Sequence, residues 1–145
     1  MKRLSPIILF VFITLFSCSD EEEKSSDLQA QSEPVKLELV AMSGQMRGSE
    51  TTGEEMEWQE YFLLKNDMKF EKVQQRDDKE YRSTGTFEIV MINSDKHLRF
   101  THDTKNEAYG NCTGDNIELL RYTSSNELTG SWSACDGPGL EYAFN

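Results

Sequence analysis

From residue 35 onward, apolar and polar positions alternate with a period of two, and short polar clusters interrupt the alternation at regular intervals. Val35, Leu37, Leu39 and Ala41 alternate with Lys36 and Glu38, which predicts a first strand with one buried face. Residues 58–64 predict a second strand, ended by the turn-forming Lys65-Asn66-Asp67. Residues 68–74 predict a third, in which Phe70 points opposite to Lys69 and Glu71. The polar turn Arg76-Asp77-Asp78-Lys79 precedes a strand over 81–91, and Asn93-Ser94-Asp95-Lys96 separates that from 97–101. A short strand is expected at 108–112 and a clearer one at 117–122. Ser124-Ser125-Asn126 then turns the chain into 128–133, and 140–144 closes it. Beyond the N-terminal apolar run no segment offers ten residues of helical periodicity. The expected class is all-β: an antiparallel meander of about eight or nine short strands, closed into a barrel or folded as a sandwich.

The first 34 residues follow another pattern. Lys2 and Arg3 precede an apolar stretch from Ile7 to Phe16 broken only by Thr14. Its length falls well short of the roughly 20 residues a membrane-spanning helix needs, and the order of basic, apolar and small residues is that of a secretory signal peptide. Leu15-Phe16-Ser17-Cys18 resembles a bacterial lipobox, with Phe16 where most lipoboxes carry a small residue. The resemblance implies cleavage before Cys18 and a thioether-linked diacylglycerol on its sulfur; an ordinary signal peptide with an incidental cysteine is the alternative. Ser19-Asp20-Glu21-Glu22-Glu23 resembles the acidic export signal of many Bacteroidetes lipoproteins, which implies the outer face of the outer membrane, with the periplasmic face as the alternative. Residues 19–34 hold no aromatic side chain and one large aliphatic one, too little apolar surface to offset chain entropy. The expected organisation is therefore a signal peptide over 1–17, a lipidated cysteine with an acidic disordered tether over 18–34, and one β-domain over 35–145.

Charge and cysteines narrow the function classes. The chain carries a formal charge of −11, and losing 1–17 removes Lys2 and Arg3 and no acid, leaving −13. Nucleic acid is not an expected partner, because its binding rests on cationic side chains that displace counterions. With Cys18 taken by lipid, Cys112 and Cys135 remain as an even pair in an exported protein, which favours a disulfide over two independent thiols. Two cysteines lack the further ligands a zinc site requires.

In the domain itself, a glycine-containing loop leads to an aromatic strand, an Asn-Asp turn, "NDMKF" and then Gly85-Thr86-Phe87. This order resembles the lipocalin-like domain of small bacterial lipoproteins, which commonly run "f-dGtF" followed by "GtY". Met68 stands where that pattern has glycine, and the first strand lacks the Gly-x-Trp of true lipocalins. The resemblance implies a calycin-type barrel or half-barrel and a small apolar or amphipathic ligand in its interior.

Candidate site residues follow from the inward pattern. Trp58, Phe62, Phe70, Phe87, Phe100, Tyr122, Trp132 and Tyr142 are expected to point inward and to line the barrel. The interior of an eight-stranded barrel is just wide enough to be filled by side chains or to hold one small ligand. Residues 43–57 form the longest connection, either a lid in which Met46 could cover a ligand or a solvated, partly strand-forming loop; Glu54, Glu55, Glu57 and Glu60 are expected to face solvent. Asp136-Gly137-Pro138-Gly139 reads as a tight turn. His97 and His102, five residues apart on one strand, face opposite sides and do not suggest a metal site. No Gly-x-Ser-x-Gly elbow occurs. The sequence thus points to a lipid-anchored binding protein without catalysis or cofactor. It carries a small apolar ligand or, with a filled core, docks another envelope protein.

Overall fold

The computed structural model describes residues 33–105 and 107–145. The expected signal peptide, Cys18 and the expected tether as far as residue 32 lie outside them. The strands are β1 (Val35–Ser43), β2 (Thr51–Thr52), β3 (Gln59–Leu64), β4 (Lys69–Arg76), β5 (Lys79–Ile92), β6 (Asp95–His102), β7 (Ile117–Tyr122), β8 (Glu127–Gly130) and β9 (Gly139–Phe144). All pairings are antiparallel. The order β1-β3-β4-β5-β6-β7-β8-β9 returns to β1 through the β1–β9 ladder, and β2 pairs as an extra strand with Ala41 and Met42. An eight-stranded closed barrel is the result, with no open edge among those eight strands.

Turn chemistry explains most of the connections. Asp77 and Asp78, at φ 51° and 58°, make the β4–β5 turn; Asn93 and Ser94, at φ 50° and 73°, make the β5–β6 turn. Paired left-handed residues are what a two-residue hairpin of the type I′ kind requires. Met68 also sits at φ 60°, so a methionine holds the left-handed position after Asp67 that glycine would fill at less cost.

The sequence pattern needs three corrections. A β-bulge between Leu39 and Ala41 shifts the β1–β9 register, so that Met42 opposes inward-facing Leu140 while Ala41 opposes exposed Glu141. The inner face of β1 therefore passes from Leu39 to Met42 and skips Ala41. Residues 108–112 form no strand. Their segment is held as a loop by Asn111, whose side-chain amide donates to the carbonyls of Asp115 and Ile117, both at 2.8 Å. Strand β8 stops at Gly130, and Trp132–Cys135 is a 3₁₀ turn. In the 43–57 loop, Thr51–Thr52 pairs as β2 and Gly53–Glu55 makes a second 3₁₀ turn.

The even strand number puts the start of β1 and the end of β9 at one end of the barrel, with the β3–β4, β5–β6 and β7–β8 turns. The opposite end carries the 44–58, 103–116 and 131–138 connections. Inside, Leu37, Phe62, Leu64, Phe70, Phe87, Leu98, Phe100, Leu120 and Leu128 form one apolar cluster. Gly85 makes room for it: a Cβ there would lie 2.0 Å from the Thr101 carbonyl oxygen and 2.9 Å from Phe70 Cε1. Gly85→Ala is expected to lower unfolding free energy by about 3 kcal/mol through overpacking, read as a lower urea midpoint at unchanged slope.

Candidate functional site

Inward-facing strand positions are occupied by charge in the half of the barrel nearer the long loops. Period-two geometry places Glu60 on the face of Phe62 and Leu64, Lys72 and Gln74 on that of Phe70, His102 on that of Leu98 and Phe100, and Glu118 on that of Leu120. All five are buried, and Lys72 is 1% exposed. Glu60 was expected in solvent; its parity with Phe62 is the signal that places it inside.

These side chains form one connected network. Lys72 Nζ lies 3.0 Å from Glu60 Oε1 and 2.8 Å from Glu118 Oε1, and 4.8 Å above the Phe62 ring. Glu60 also accepts from Trp58 Nε1 at 2.8 Å, Gln74 Nε2 at 2.9 Å and the Tyr142 hydroxyl. His102 Nε2 stands 3.1 Å from Glu118 Oε2, and its Nδ1 stands 2.7 Å from Ser83 Oγ. Gln74 Oε1 is buried with no protein partner.

Burial pushes the Glu118 carboxyl up, but Lys72 and the His102 contact overcome it and hold the group below its ordinary 4.5. Burial likewise pushes the Lys72 ammonium down, and the attraction of Glu118 and Glu60 raises it above 10.5. Tyr142 is raised well above 10.0 by burial first and by the nearby carboxylates after it. The pair Lys72–Glu118 is therefore ionised in the folded barrel across the neutral range.

Ser83, His102 and Glu118 follow one another in the order of a nucleophile, base and acid triad. The chemistry available to them is limited by their surroundings. Ser83 is 5% exposed, and the Glu118 carboxylate that would support the imidazole is already paired with Lys72. Tyr109 stacks on His102 with ring centroids 3.8 Å apart, covering the imidazole from the 103–116 loop. The arrangement is a buried relay of hydrogen bonds.

The loops above it are locked together. Cys112 and Cys135 form a disulfide with a Cα–Cα distance of 5.5 Å, joining the 103–116 loop to the Trp132–Cys135 turn. Trp132 lies between Gly110 and Gly137, where added Cβ atoms would sit 2.1 and 2.4 Å from its ring. Asp136, at φ 69°, takes the left-handed conformation that ends the 3₁₀ turn, while Gly137 supplies clearance for the indole.

The eight expected lining residues divide into three groups. Phe62, Phe70, Phe87, Phe100 and Tyr142 are interior and pack on one another, with Phe62 stacked on Phe100 at 4.3 Å and Phe70 edge-on to Phe100 at 5.0 Å. Trp58 is buried just ahead of β3, under the Arg76 guanidinium at 5.0 Å. Tyr122 is half-buried at the short-turn end, 6.4 Å from Phe144, where burial pushes its hydroxyl up to about 12. Trp132 belongs to the loop cap and not to the strand wall. Met46 is 79% exposed and covers nothing inside the barrel. Glu54, Glu55 and Glu57 face solvent as expected. His102 is interior, and His97 contacts the Asp95 carbonyl oxygen at 2.9 Å.

A cleft of about 470 Å³ lies on the rim between Met56, Trp58, Gln75, Arg76 and Asp78, and another of about 390 Å³ runs along the outer wall beside Val40, Arg121 and Glu141. Neither is lined by Phe62, Phe70, Phe87 or Phe100. No family model, curated protein or solved structure matches the chain.

The network predicts how the fold responds to substitution and pH. Lys72→Met is expected to cost about 3–5 kcal/mol, because Glu60 and Glu118 stay buried without their cation. Adding Glu60→Gln and Glu118→Gln to it should recover part of that loss in the same urea titration. A depressed carboxyl stabilises the fold fully above its unfolded value and loses that contribution as pH falls through the folded value; a raised ammonium contributes fully below its unfolded value and loses it as pH rises through the folded one. The urea midpoint of the native chain should therefore hold between 4.5 and 10.5 and fall on both sides, with a shallower acid limb in Lys72→Met. Replacing Cys112 and Cys135 by serine should remove about 3 kcal/mol, and reductant should shift the midpoint of the native chain but not of the variant.

Proposed function

We propose that the protein is a lipid-anchored, lipocalin-like barrel of the outer membrane that works through its outer surface and loop ends, as a non-catalytic interaction module of the cell envelope. One observation carries this choice over a ligand carrier: the aromatic side chains expected to wall a cavity are in ring contact with one another. Phe62 touches Phe70, Phe100 and Tyr142, all with centroids within 6 Å. Leu37, Leu98, Leu120 and Leu128 pack with these rings, and the Lys72–Glu60–Glu118 cluster occupies the interior toward the long loops.

The sequence supports the anchored placement. Leu15-Phe16-Ser17-Cys18 supplies the lipid site, the acids at 20–23 supply the export signal, and the Cys112–Cys135 bridge suits an oxidising compartment. The partner class on this reading is an envelope protein held beside the barrel, with no nucleic acid.

Native mass spectrometry of the full chain extracted from its own envelope in mild detergent tests the proposal. The expected mass is that of a chain starting at Cys18 with its acyl groups and two hydrogens fewer for the disulfide, with nothing further lost on denaturation. A small molecule released on denaturation would return the barrel to the carrier class.

A further inference from the structure

The β5–β6 hairpin is longer than the barrel it belongs to. Strand β5 runs 14 residues. Its ladder with β4 ends at Thr86, and β6 pairs with β7 only as far as His97. Beyond those limits Met91 pairs with Lys96 and Ile92 with Asp95, and neither pair has a neighbouring strand. The tip 91–96 is thus a two-stranded finger past the ends of the neighbouring ladders, with the Lys96 ammonium set back 4.9 Å over the Tyr122 ring of β7. The finger's turn, Asn93-Ser94, and Asp95 are exposed and polar, and directly behind them Met91 is 65% exposed and Ile92 38%. Two large apolar side chains exposed next to each other behind a polar turn are a feature that an interfacial surface can cover.

Three observations identify that surface. The finger stands at the end where the chain enters β1, across the ring of strands from that entry, so everything N-terminal of Glu33 joins the barrel at the finger's end. Fourteen residues lie between Cys18 and Glu33. Charge is also divided between the two ends. The loop-end segments 44–58, 75–80, 103–116 and 131–138 carry eleven acids and four bases. At the finger end, segments 33–36, 65–69, 91–97, 121–127 and 143–145 carry four acids and five bases, Lys96 among them at the finger itself. A phosphate-bearing lipid surface repels the first end within a Debye length and accepts the second.

We propose that the 91–96 finger is a lipid-contacting foot, seating Met91 and Ile92 in the headgroup region of the membrane that holds the anchor and turning the acidic loop end away from it. The inference rests on the lipid-anchored reading above. The contact need not be strong. A short linker gives an effective concentration on the order of millimolar, so a contact with a millimolar dissociation constant is about half occupied.

The test uses the full lipidated chain in vesicles of phosphatidylethanolamine and phosphatidylglycerol with brominated acyl chains, which quench tryptophan at interfacial depth. Met91→Trp places a reporter on the foot and Met46→Trp one at the opposite end, where native Trp58 and Trp132 also lie. The emission added by Met91→Trp is expected to be quenched roughly twofold or more, as for a side chain buried about 5–10 Å into the interface, while that added by Met46→Trp is unchanged. With intact mass confirming acylated Cys18, no quenching at Met91→Trp, or equal quenching at both reporters, would overturn the foot and leave the anchor standing. A chain whose mass shows Cys18 without lipid would instead overturn the anchored reading and the foot with it.

Discussion

The ammonium of Lys72, set between Glu60 and Glu118, is the constraint around which the interior is arranged. Charged side chains inside a barrel this narrow are tolerated only because each is held by several partners. Lys72 spends its protons on two carboxylates, and Glu60 gathers Trp58, Gln74 and Tyr142 besides. Removing any one partner exposes another to an uncompensated charge in low dielectric. The cluster draws on β3, β4, β7 and β9, with His102 from β6 and Ser83 from β5. It therefore ties together strands that meet only when the barrel is closed. A polar network of this kind specifies register, because a one-residue slip on any strand would turn its charged member outward.

The alternation of apolar positions made the strands legible, and the polar pairs Asp77-Asp78 and Asn93-Ser94 marked their turns. What misled was locally ambiguous. Residues 108–112, with Ala108, Tyr109 and Cys112, have the composition of a short strand, yet the side-chain bonds of Asn111 and the disulfide decide their path. Both act over distances that a period-two reading does not see. Thr51–Thr52 is too short to carry a period, and the bulge in β1 is invisible until β9 stands beside it.

The candidate site was legible only in part. The aromatic residues of the wall were found by parity, but the same parity places Glu60, Lys72, His102 and Glu118 among them. Charge marks solvent exposure for one residue in isolation, and that rule fails when a countercharge sits on a strand far away in sequence. Lys72 and Glu118 are 46 residues apart. Two opposite charges, each on the inward face of its own strand, are the pattern that would have revealed the pair.

Filling the interior has a consequence for where such a barrel can act. With rings and ion pairs occupying the centre, variation is left to the outer wall and the two ends, and topology makes those ends unequal. Eight up-and-down strands return both termini to one end, so that end has three connections and the other has four. The four can lengthen without disturbing the chain's entry and exit. Here three of them have done so and carry the disulfide, the clamped Trp132 and most of the acid, while the terminal end keeps tight turns and balanced charge. The polar network underlies the other end, where it holds β3, β4, β6 and β7 in place beneath loops that would otherwise have little core to rest on.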